Sequence, residues 1–406
     1  MHIPNFSNGV ASTLVCLVAL SLASTATSAL PDQEQQRVLE DSEPSLNTKE
    51  QLERKWGFNW GFSGISTFGH LEHFKCLTEP DKKFDIGIIG APFDTASSFR
   101  SGSRFGPRSI RAASARHAVS RAYNPFFGLN PYSNWAKVID CGDIPVTPFD
   151  NALAMQQMTE AFTELGLREG TAPGSMPKLI ILGGDHLVAL PALRALKTVH
   201  NEPVALLHFD SHLDTLRPSV YPQAWPSKQA DFNHGTVFWN AYTEGLLRND
   251  SVHAGINTRL SGADLGDYDS DDEMGFLRIS AAAVDDIGTK GVIDLINNKI
   301  EPHVKVYLSI DIDVLDPAFA PGTGAPEPGG WTTRELLKIL RGCSHLNIVG
   351  ADIVEVAPAY DSAGSDTAFV AAGLAYEIIS GMVKNGLESV VQNTDPHVKK
   401  QAKTEL

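Results

Sequence analysis

The sequence predicts a three-layer αβα fold of the α/β class, in which helices cover both faces of a mainly parallel central sheet. Two observations predict this fold. From Phe84 onward, short apolar runs of strand length alternate with segments of helical periodicity. No low-complexity linker or internal repeat interrupts them, and 42% of the 406 residues are hydrophobic, which is enough for one large core. We therefore expect a single α/β domain over residues 81–392.

Five buried strands are predicted, because strands covered on both faces are apolar along their whole length. They are expected over residues 85–90, 178–182, 204–209, 304–310 and 346–350. The amphipathic segments predict helices around residues 107–121, 150–168, 187–199, 237–248, 289–299, 332–342 and 366–385. Thr332 and Glu335 have the spacing of a capping box at the start of one of these helices.

Both ends of the chain resemble addressing signals. Residues 1–31 contain no Asp, Glu, Lys or Arg, and an apolar run ends in the small residues Thr27 and Ala29, which predicts a signal peptide over residues 1–29. Residues 30–80 are interpreted as a polar N-terminal lead-in, of which residues 32–55 are expected to be exposed, and residues 393–406 as a C-terminal tail. Its last four residues, Lys-Thr-Glu-Leu, resemble a retention signal of the endoplasmic reticulum. We expect a protein of the secretory pathway, either secreted or retained; the alternative is a cytosolic protein with an apolar N-terminal tail.

The charge balance limits the expected partners. The chain has 33 basic and 48 acidic residues, a formal net charge of −15. A surplus of this sign opposes binding to nucleic acid and to anionic lipid, because both require neutralising Lys and Arg. It favours small cations and metal ions instead. The apolar run near the N-terminus is too short to cross a bilayer, so no membrane span is expected.

Two other features are interpreted as structural. Removal of residues 1–29 would leave Cys76, Cys141 and Cys343, whose spacing predicts neither a disulfide framework nor a zinc site. The acidic stretch over residues 260–276 is interpreted as a solvated surface loop, because its spacing is not that of a calcium loop. Asn249 begins a glycosylation sequon, and whether it is used is left open.

Three short polar clusters each follow a predicted strand. They are Gly183-Gly-Asp-His186, Asp210-Ser-His-Leu-Asp214 and Asp311-Ile-Asp313. Ligand sites of parallel sheets form at the carboxyl ends of the strands, so the three clusters are expected to meet at one edge of the sheet. Side chains of an extended chain alternate in direction, and the Asp, His and Asp of the second cluster can therefore point the same way. The spacing fits one shared site.

The shared site would combine four carboxylates with two imidazoles, which indicates metal binding. Four Asp side chains in apolar surroundings cannot all stay ionised unless cations lie between them. A pair of metal ions resolves this repulsion. Carboxylate and His ligands without thiolate suit Mn²⁺, Zn²⁺ or Fe²⁺, and the oxygen-rich set favours Mn²⁺. The candidate ligands are His186, Asp210, His212, Asp214, Asp311 and Asp313.

The three clusters resemble the signatures of the ureohydrolase family, the arginases and agmatinases. Further matches, such as His234-Gly-Thr236 and Gly350-Ala-Asp-Ile-Val-Glu-Val-Ala-Pro358, extend the resemblance over roughly residues 84–381. It implies an arginase-like fold, two Mn²⁺ per subunit, hydrolysis of a guanidinium group to urea and an amine, and assembly from several copies. It assigns one Mn²⁺ to His186, Asp210, Asp214 and Asp311, and the second to His212, Asp210, Asp311 and Asp313.

The resemblance gives roles to two further residues. His234 would transfer a proton to the leaving amine, since His titrates near neutrality; without the resemblance it would be interpreted as a loop residue beside Gly235. Glu355 lies in an apolar run, where a carboxylate needs a cationic partner, and the resemblance implies that this partner is the substrate guanidinium. The alternative is a core Glu paired with an internal Arg or Lys.

The expected substrate is agmatine, a small cation that would be hydrolysed to urea and putrescine. Residues 233–239 and 355–361 resemble the corresponding segments of agmatinases. The guanidino compounds 4-guanidinobutyrate and arginine are alternatives, and so is a non-catalytic ureohydrolase-like protein that binds a polyamine or a partner. A phosphoesterase or deacetylase that shares only the metal chemistry is disfavoured, because Glu355 suits a cation better than an anion.

Overall fold

The structure is a computed structural model that describes residues 48–220 and 227–394, with backbone only for 388–394. The chain divides into two units between Phe58 and Asn59. The described part of the first unit contains helix α1 (Lys49–Trp56), whose first turn is closed by a capping box from Thr48. The predicted signal peptide and the last twelve residues, 395–406, lie outside the described residues.

One eight-stranded sheet forms the centre of the second unit. Its strands are β1 (Ile86–Gly90), β2 (Val138–Asp143), β3 (Lys178–Leu182), β4 (Ala205–Phe209), β5 (Val252–Ile256), β6 (Leu277–Ser280), β7 (Lys305–Asp311) and β8 (Asn347–Val354). Their order across the sheet is β2-β1-β3-β8-β7-β4-β5-β6, and every neighbouring pair is parallel. Strands β4 and β7, far apart in sequence, are neighbours near the centre of this order.

Helices cover both faces of the sheet. They are α2 (Gly106–Ser114), α3 (Asn151–Gly166), α4 (Ala189–His200), α5 (Val237–Thr243), α6 (Gly266–Glu273), α7 (Ala283–Lys299), α8 (Thr333–Gly342) and α9 (Asp366–Thr394). Ile88 of β1 packs in one core with residues of α2, α7, α8 and α9, whereas its neighbour Ile89 packs in a second core with residues of α3, α4 and α5. Side chains that alternate along the strand therefore pack in two cores, one on each face of the sheet. The predicted αβα fold is confirmed.

Three strands were not predicted, and the reason is their composition. Strands β2 and β6 lie at the two edges of the sheet, and β5 lies next to β6. Each carries polar residues or glycine that interrupt an apolar run, for example Asp140 in β2, His253 in β5 and Arg278 in β6. Two helices also end earlier than expected, α2 at Ser114 and α5 at Thr243.

The lead-in predicted over residues 30–80 is exposed only in its first described part. Residues 48–58 are exposed, as expected, but the segment that follows packs against the sheet. Residues from Asn59 onward belong to the same unit as the sheet. Phe68 and Leu71 are buried in one core, and Cys76 is buried in the other. Isolated apolar residues in a polar stretch carry no periodicity, so this packing was not readable from the sequence.

A disulfide joins Cys76 to Cys141, which corrects the expectation that the cysteines form no such bond. Their Cα atoms lie 4.9 Å apart, although 65 residues separate them in sequence. Cys141 lies on β2, and the pairing of β2 with β1 brings it close to the turn that precedes β1. Cys343 is free and buried, and burial raises the pKa of its thiol to about 12, which makes it unreactive.

The acidic stretch is also not a solvated loop, because it contains helix α6. Asp271 in this helix is fully buried. It accepts hydrogen bonds from the hydroxyl of Thr215 and the guanidinium of Arg278, both at 2.9 Å. Thr215 is 56 residues away in sequence, and Arg278 follows the acidic stretch on β6. The composition of the stretch alone therefore suggested that it is exposed, whereas one of its carboxylates is buried.

Helix α9 is the one helix in the described part of the chain that is long and apolar enough to cross a membrane. The qualifying stretch is Asp366–Leu387, and 72% of its most apolar window is buried inside the protein. Burial of this extent is what the core helix of a three-layer fold requires, and the helix packs in the same core as α2 and α8.

Candidate active site

The strand order explains why the predicted site residues meet. Strands β3, β8, β7 and β4 are consecutive in the sheet, and each ends at a candidate residue. His186 follows β3, Glu355 follows β8, Asp311 is the last residue of β7, and Asp210 follows β4. Because all four strands are parallel, these ends lie along one edge of the sheet. The structure brings all eight predicted site residues to this edge.

A close approach of two backbone segments shapes the loop after β3. The N–H of Asp185 donates to the carbonyl of Phe93 at 2.7 Å. A Cβ atom on Gly184 would lie 1.7 Å from the same carbonyl oxygen, which only glycine avoids. Asp185 then caps the following turn by accepting the N–H of Leu187 at 3.1 Å. This loop sets the position of His186.

The first half of the site is centred on Nδ1 of His186. This nitrogen lies 3.2 Å from a carboxylate oxygen of Asp210, 3.0 Å from one of Asp214 and 3.3 Å from one of Asp311. It has no hydrogen-bond partner of acceptable geometry among the described residues, and His186 is fully buried. One buried nitrogen surrounded by three carboxylates is the arrangement expected of ligands around a cation.

Contacts on the far side of the His186 ring fix its orientation. Nε2 lies 2.8 Å from the hydroxyl of Ser309, and that hydroxyl donates to Asp352 at 2.7 Å. Ser309 therefore accepts from Nε2–H, which leaves the lone pair of His186 on Nδ1, toward the carboxylates. Hydrogen bonds of this kind orient metal-binding histidines in proteins. Sequence reasoning missed Ser309 and Asp352, although both are polar positions in otherwise apolar strands.

The second half of the site is centred on Nδ1 of His212. It lies 3.3 Å from Oδ1 of Asp210 and 3.1 Å from Oδ2 of Asp313. The N–H of Asp313 donates to Asp311 at 2.9 Å, which holds the two carboxylates of that cluster together. His186, His208, Asp210 and Asp214 lie close enough to hold one ion, although Nε2 of His208 is 2.8 Å from Asp210 and bonds to it. His212, Asp210 and Asp313 lie close enough to hold another, so Asp210 is shared. The bridging role of Asp311 stays a prediction.

The electrostatics favour a cation at both halves. Burial raises the pKa of Asp311 well above its ordinary value, and the charges of Asp313 and Asp210 raise it further. Burial also raises the pKa of Asp313 to about 7, although His212 opposes the shift. Burial would lower the pKa of His186, but its three carboxylate neighbours raise it well above the usual range. Carboxylates this crowded need positive charge among them, so the donor set fits a pair of divalent metal ions.

Two site residues have left-handed backbone conformations, which residues other than glycine rarely adopt. Asp214 has φ 54° and Glu355 has φ 59°. Such conformations cost on the order of 1–3 kcal/mol and persist where surrounding contacts hold them. The N–H of Glu355 donates to the carbonyl of Gly184 at 2.8 Å, and the N–H of Phe238 donates to the carbonyl of Asp214 at 2.9 Å. These contacts hold both carboxylates at the edge of the sheet.

Glu355 and His234 form a second pair beside the candidate metal ligands. Oε1 of Glu355 accepts from the N–H of His186 at 3.0 Å and lies 3.2 Å from Nδ1 of His234. Nε2 of His234 accepts from the N–H of Ser98 at 3.0 Å, so the proton of the neutral ring lies on Nδ1. His234 is the ion-pair partner of Glu355 among the described residues, and no internal Arg or Lys pairs with it. Both hydrogen bonds reach Oε1, and Oε2 remains for a ligand.

The pKa of His234 reflects two opposing effects. Burial lowers it, and the carboxylate of Glu355 raises it more strongly, to about 9. A second proton on Nε2 would face the N–H of Ser98, so protonation requires a local adjustment. The hydroxyl of Ser98, 2.7 Å from Nε2, can then accept that proton in a hydrogen bond. His234 is thus a group that can carry a proton near neutral pH.

Local sequence explains where His234 lies. The side chain of Asn233 accepts the N–H of Gly235 at 3.0 Å, and the hydroxyl of Thr236 accepts the N–H of Asn233 at 3.1 Å. This capping box closes the short turn that begins α5. The N–H of His234 also lies 3.4 Å from the carbonyl of Ala96, which ties the turn to the loop after β1.

One pocket opens onto both groups of side chains. Its wall contains His212, Asp214, Asp311 and Asp313 together with His234 and Glu355. The wall also includes an exposed cation, Arg259, and a half-buried anion, Asp267. The ligand set and the Glu355–His234 pair therefore face the same space, in which a bound molecule would meet charges of both signs.

Comparisons with known proteins agree with this geometry. The arginase family model matches residues 84–381. A protein of Schizosaccharomyces pombe named "Putative agmatinase 1" is 49% identical over 334 residues, which are 80% of this chain and 83% of that protein. The guanidinobutyrase of Pseudomonas aeruginosa is 37% identical over 318 residues, 78% of this chain and 92% of that protein.

A solved structure shows the same fold. Proclavaminate amidino hydrolase from Streptomyces clavuligerus superposes with a TM-score of 0.69 at 32% identity, over 80% of this chain and 100% of that one. The matched region contains the whole sheet and every candidate site residue. The chain therefore belongs to the arginase family, resembles the agmatinases within it, and is a ureohydrolase, an enzyme that hydrolyses a C–N bond.

Proposed function

We propose that the protein is a Mn²⁺-dependent agmatinase that hydrolyses agmatine to urea and putrescine. The observation that carries the proposal is the pairing of two sites in one pocket: a His–Asp cluster suited to two metal ions and a buried carboxylate, Glu355, with one oxygen free. A planar guanidinium is the cation that such a carboxylate binds with both charge and orientation. The agmatinase name of a 49% identical relative supports this substrate class.

Each ion would have four of the six candidate ligands, with Asp210 and Asp311 common to both. His186, Asp210, Asp214 and Asp311 would hold one Mn²⁺, and His212, Asp210, Asp311 and Asp313 the other. When bound, such a metal pair acts as a Lewis acid and lowers the pKa of a coordinated water toward roughly 7. The oxygen-rich ligand set is the reason to expect Mn²⁺ rather than a softer metal.

The protein's own residues would orient the substrate and move a proton. Oε2 of Glu355 would accept a hydrogen bond from the substrate guanidinium. This contact would orient the guanidinium plane relative to the metal ligands. In the structure, Nδ1–H of His234 faces Oε1 of Glu355. A guanidinium bound to Glu355 would compete for Oε1 and free this proton for the leaving nitrogen. Water then supplies the oxygen of urea, the C–N bond breaks, and the amine departs with a proton from His234.

The far end of the substrate decides between agmatine and its analogues. Agmatine carries an ammonium group there, which Asp267 in the pocket wall attracts. A second candidate substrate is 4-guanidinobutyrate, because its carboxylate would find Arg259 in the same wall and because a guanidinobutyrase is 37% identical to this chain. The net charge of −15 favours the cationic substrate.

A urea assay with agmatine, 4-guanidinobutyrate and arginine tests the proposal on protein reconstituted with Mn²⁺. We expect kcat/KM to be highest for agmatine, to fall toward background in Glu355→Gln, and to shift toward 4-guanidinobutyrate in Asp267→Asn. Arg259→Ala is the matched control: it should lower activity on 4-guanidinobutyrate and leave kcat/KM for agmatine near that of the unmodified protein. Activity on arginine alone, or binding of agmatine without urea release, would contradict the proposal.

We also propose that the mature protein is in the secretory pathway. The Cys76–Cys141 disulfide supports this, since such bonds persist in oxidising compartments. N-terminal sequencing of the purified protein should find a chain that begins near Leu30, and a retained Met1 would reject the signal peptide. Deletion of the last four residues should increase secretion into the medium if they act as a retention signal.

A further inference from the structure

A chain of buried polar side chains extends from Asp210 through residues that do not line the pocket. Nε2 of His208 lies 2.8 Å from Asp210, and Nδ1 of His208 lies 2.7 Å from Nδ1 of His253. Nε2 of His253 lies 3.1 Å from Asp271. His208, His253 and Asp271 are all fully buried. Burial of three neighbouring polar side chains costs folding free energy unless they contact one another.

Three structural elements bring the chain together. His208 on β4 lies opposite His253 on β5 in the register of the two parallel strands. Helix α6 adds Asp271, which also accepts from Thr215 and Arg278. The ring of Phe276 stacks on His253 with the centroids 4.0 Å apart and the planes 19° apart. The far end of the chain is therefore anchored on several sides.

The direction of two of these contacts follows from the Asp210 carboxylate, which can only accept. Nε2–H of His208 donates to Asp210, so Nδ1 of the neutral His208 ring accepts from Nδ1–H of His253. Nε2 of His253 lies 3.1 Å from Asp271 but makes no hydrogen bond of acceptable geometry among the described residues.

We infer that His253 and Asp271 are positioning residues that hold the Asp210 carboxylate in place through His208. The inference rests on the proposed function, because Asp210 matters most if it is the carboxylate shared by two metal ions. Two other hydrogen bonds orient Asp210. Its N–H donates to the carbonyl of Ala254, and its Oδ1 accepts from the N–H of His212 at 2.6 Å. The oxygen that faces His186 is the one that His208 contacts.

Binding of Mn²⁺ to the metal-free full-length protein, measured by calorimetry, tests the inference without reference to activity. We expect His253→Leu to weaken Mn²⁺ binding by about 10–100-fold, the usual effect of removing a residue that orients a metal ligand. His253→Asn is the conservative variant, because its amide nitrogen can take the place of Nδ1 and donate to His208. It should retain most of the affinity.

A second pair of variants controls for charge and folding. Asp271→Asn should also weaken Mn²⁺ binding, whereas Asp269→Asn, the same change at an exposed position of α6, should not. If His253→Leu does not fold, this pair decides the question. Unchanged affinity in Asp271→Asn, or equal losses in the two His253 variants, would overturn the inference. Absence of Mn²⁺ binding by the unmodified protein would instead overturn the proposed function.

Discussion

The two halves of the candidate metal centre differ in burial. His186 is fully buried, and Ser309 and Asp352 orient its ring from behind. The side chain of His212 is 25% exposed, and its Nε2 lies 3.7 Å from Glu327, a contact too long for a hydrogen bond. His186 thus lies in the interior, whereas His212 lines the pocket. We expect the ion at His186 to be bound more tightly than the ion at His212.

Removal of the shared carboxylate should have the largest effect, because it acts on both halves. Asp210→Asn keeps the size of the side chain and removes its charge. We expect Mn²⁺ binding and urea production to fall by more than the roughly 100-fold upper limit for residues that only orient a ligand. Metal content and kcat/KM measured on the same sample check this. Retention of two Mn²⁺ per chain by Asp210→Asn would show that Asp210 is not shared.

Loss of the hydrogen bond behind His186 should have an intermediate effect that is confined to the buried half. Ser309→Ala removes the hydroxyl that accepts from Nε2–H of His186. We expect the tighter of two Mn²⁺ binding steps to weaken by about 10–100-fold. Glu327→Gln is the matched control in the exposed half and should change the weaker step by a few-fold at most. Equal effects of the two variants on both steps would remove the distinction between the halves.

The smallest effect concerns the Glu355–His234 pair, which adjoins the buried half. The pKa of His234 is about 9 in the folded protein, above its ordinary value of 6.5. The stabilisation from the pair is therefore fully present below about pH 6.5 and is lost as pH rises through about 9. Melting temperatures of the metal-free protein between pH 6 and 10 check this expectation.

The control for that series is His234→Asn, which has no titrating ring at this position. Its melting temperature should lose the part of the pH dependence that lies between pH 6.5 and 9. The same pH dependence in both proteins would show that another group is responsible.

The sequence predicted the central part of the fold better than its edges. Strands β3, β4, β7 and β8 are buried on both faces and therefore read as apolar runs, and their carboxyl ends carry the predicted site. Strand β5 was not predicted because His253 interrupts its apolar run. The partners of His253 come from other elements, so the sequence of β5 gives no sign of them. The Cys76–Cys141 bond depends on strand pairing over 65 residues. Contacts of this range leave no local pattern.

The site was predictable where Asp and His side chains recur at a spacing of two residues. Asp210, His212 and Asp214 lie together as predicted, but the chain bends at residues 211 and 212 and Asp214 has φ 54°, so the extended conformation that the prediction assumed is not present. The same alternation, extended two residues toward the N-terminus, reaches His208, so a signal for that residue was present. Ser309 and Asp352 had weaker signals, because a single polar residue in a buried strand has many structural explanations.

We propose that one pocket binds two metal ions with Asp210 as a ligand of both, next to Glu355, which would bind the guanidinium. Anomalous diffraction from crystals grown with Mn²⁺ tests it most directly. We expect two peaks per chain, one within coordination distance of His186 and the other of His212, with Asp210 in contact with both. A single peak, or two peaks of which one lies away from Asp210, would contradict it.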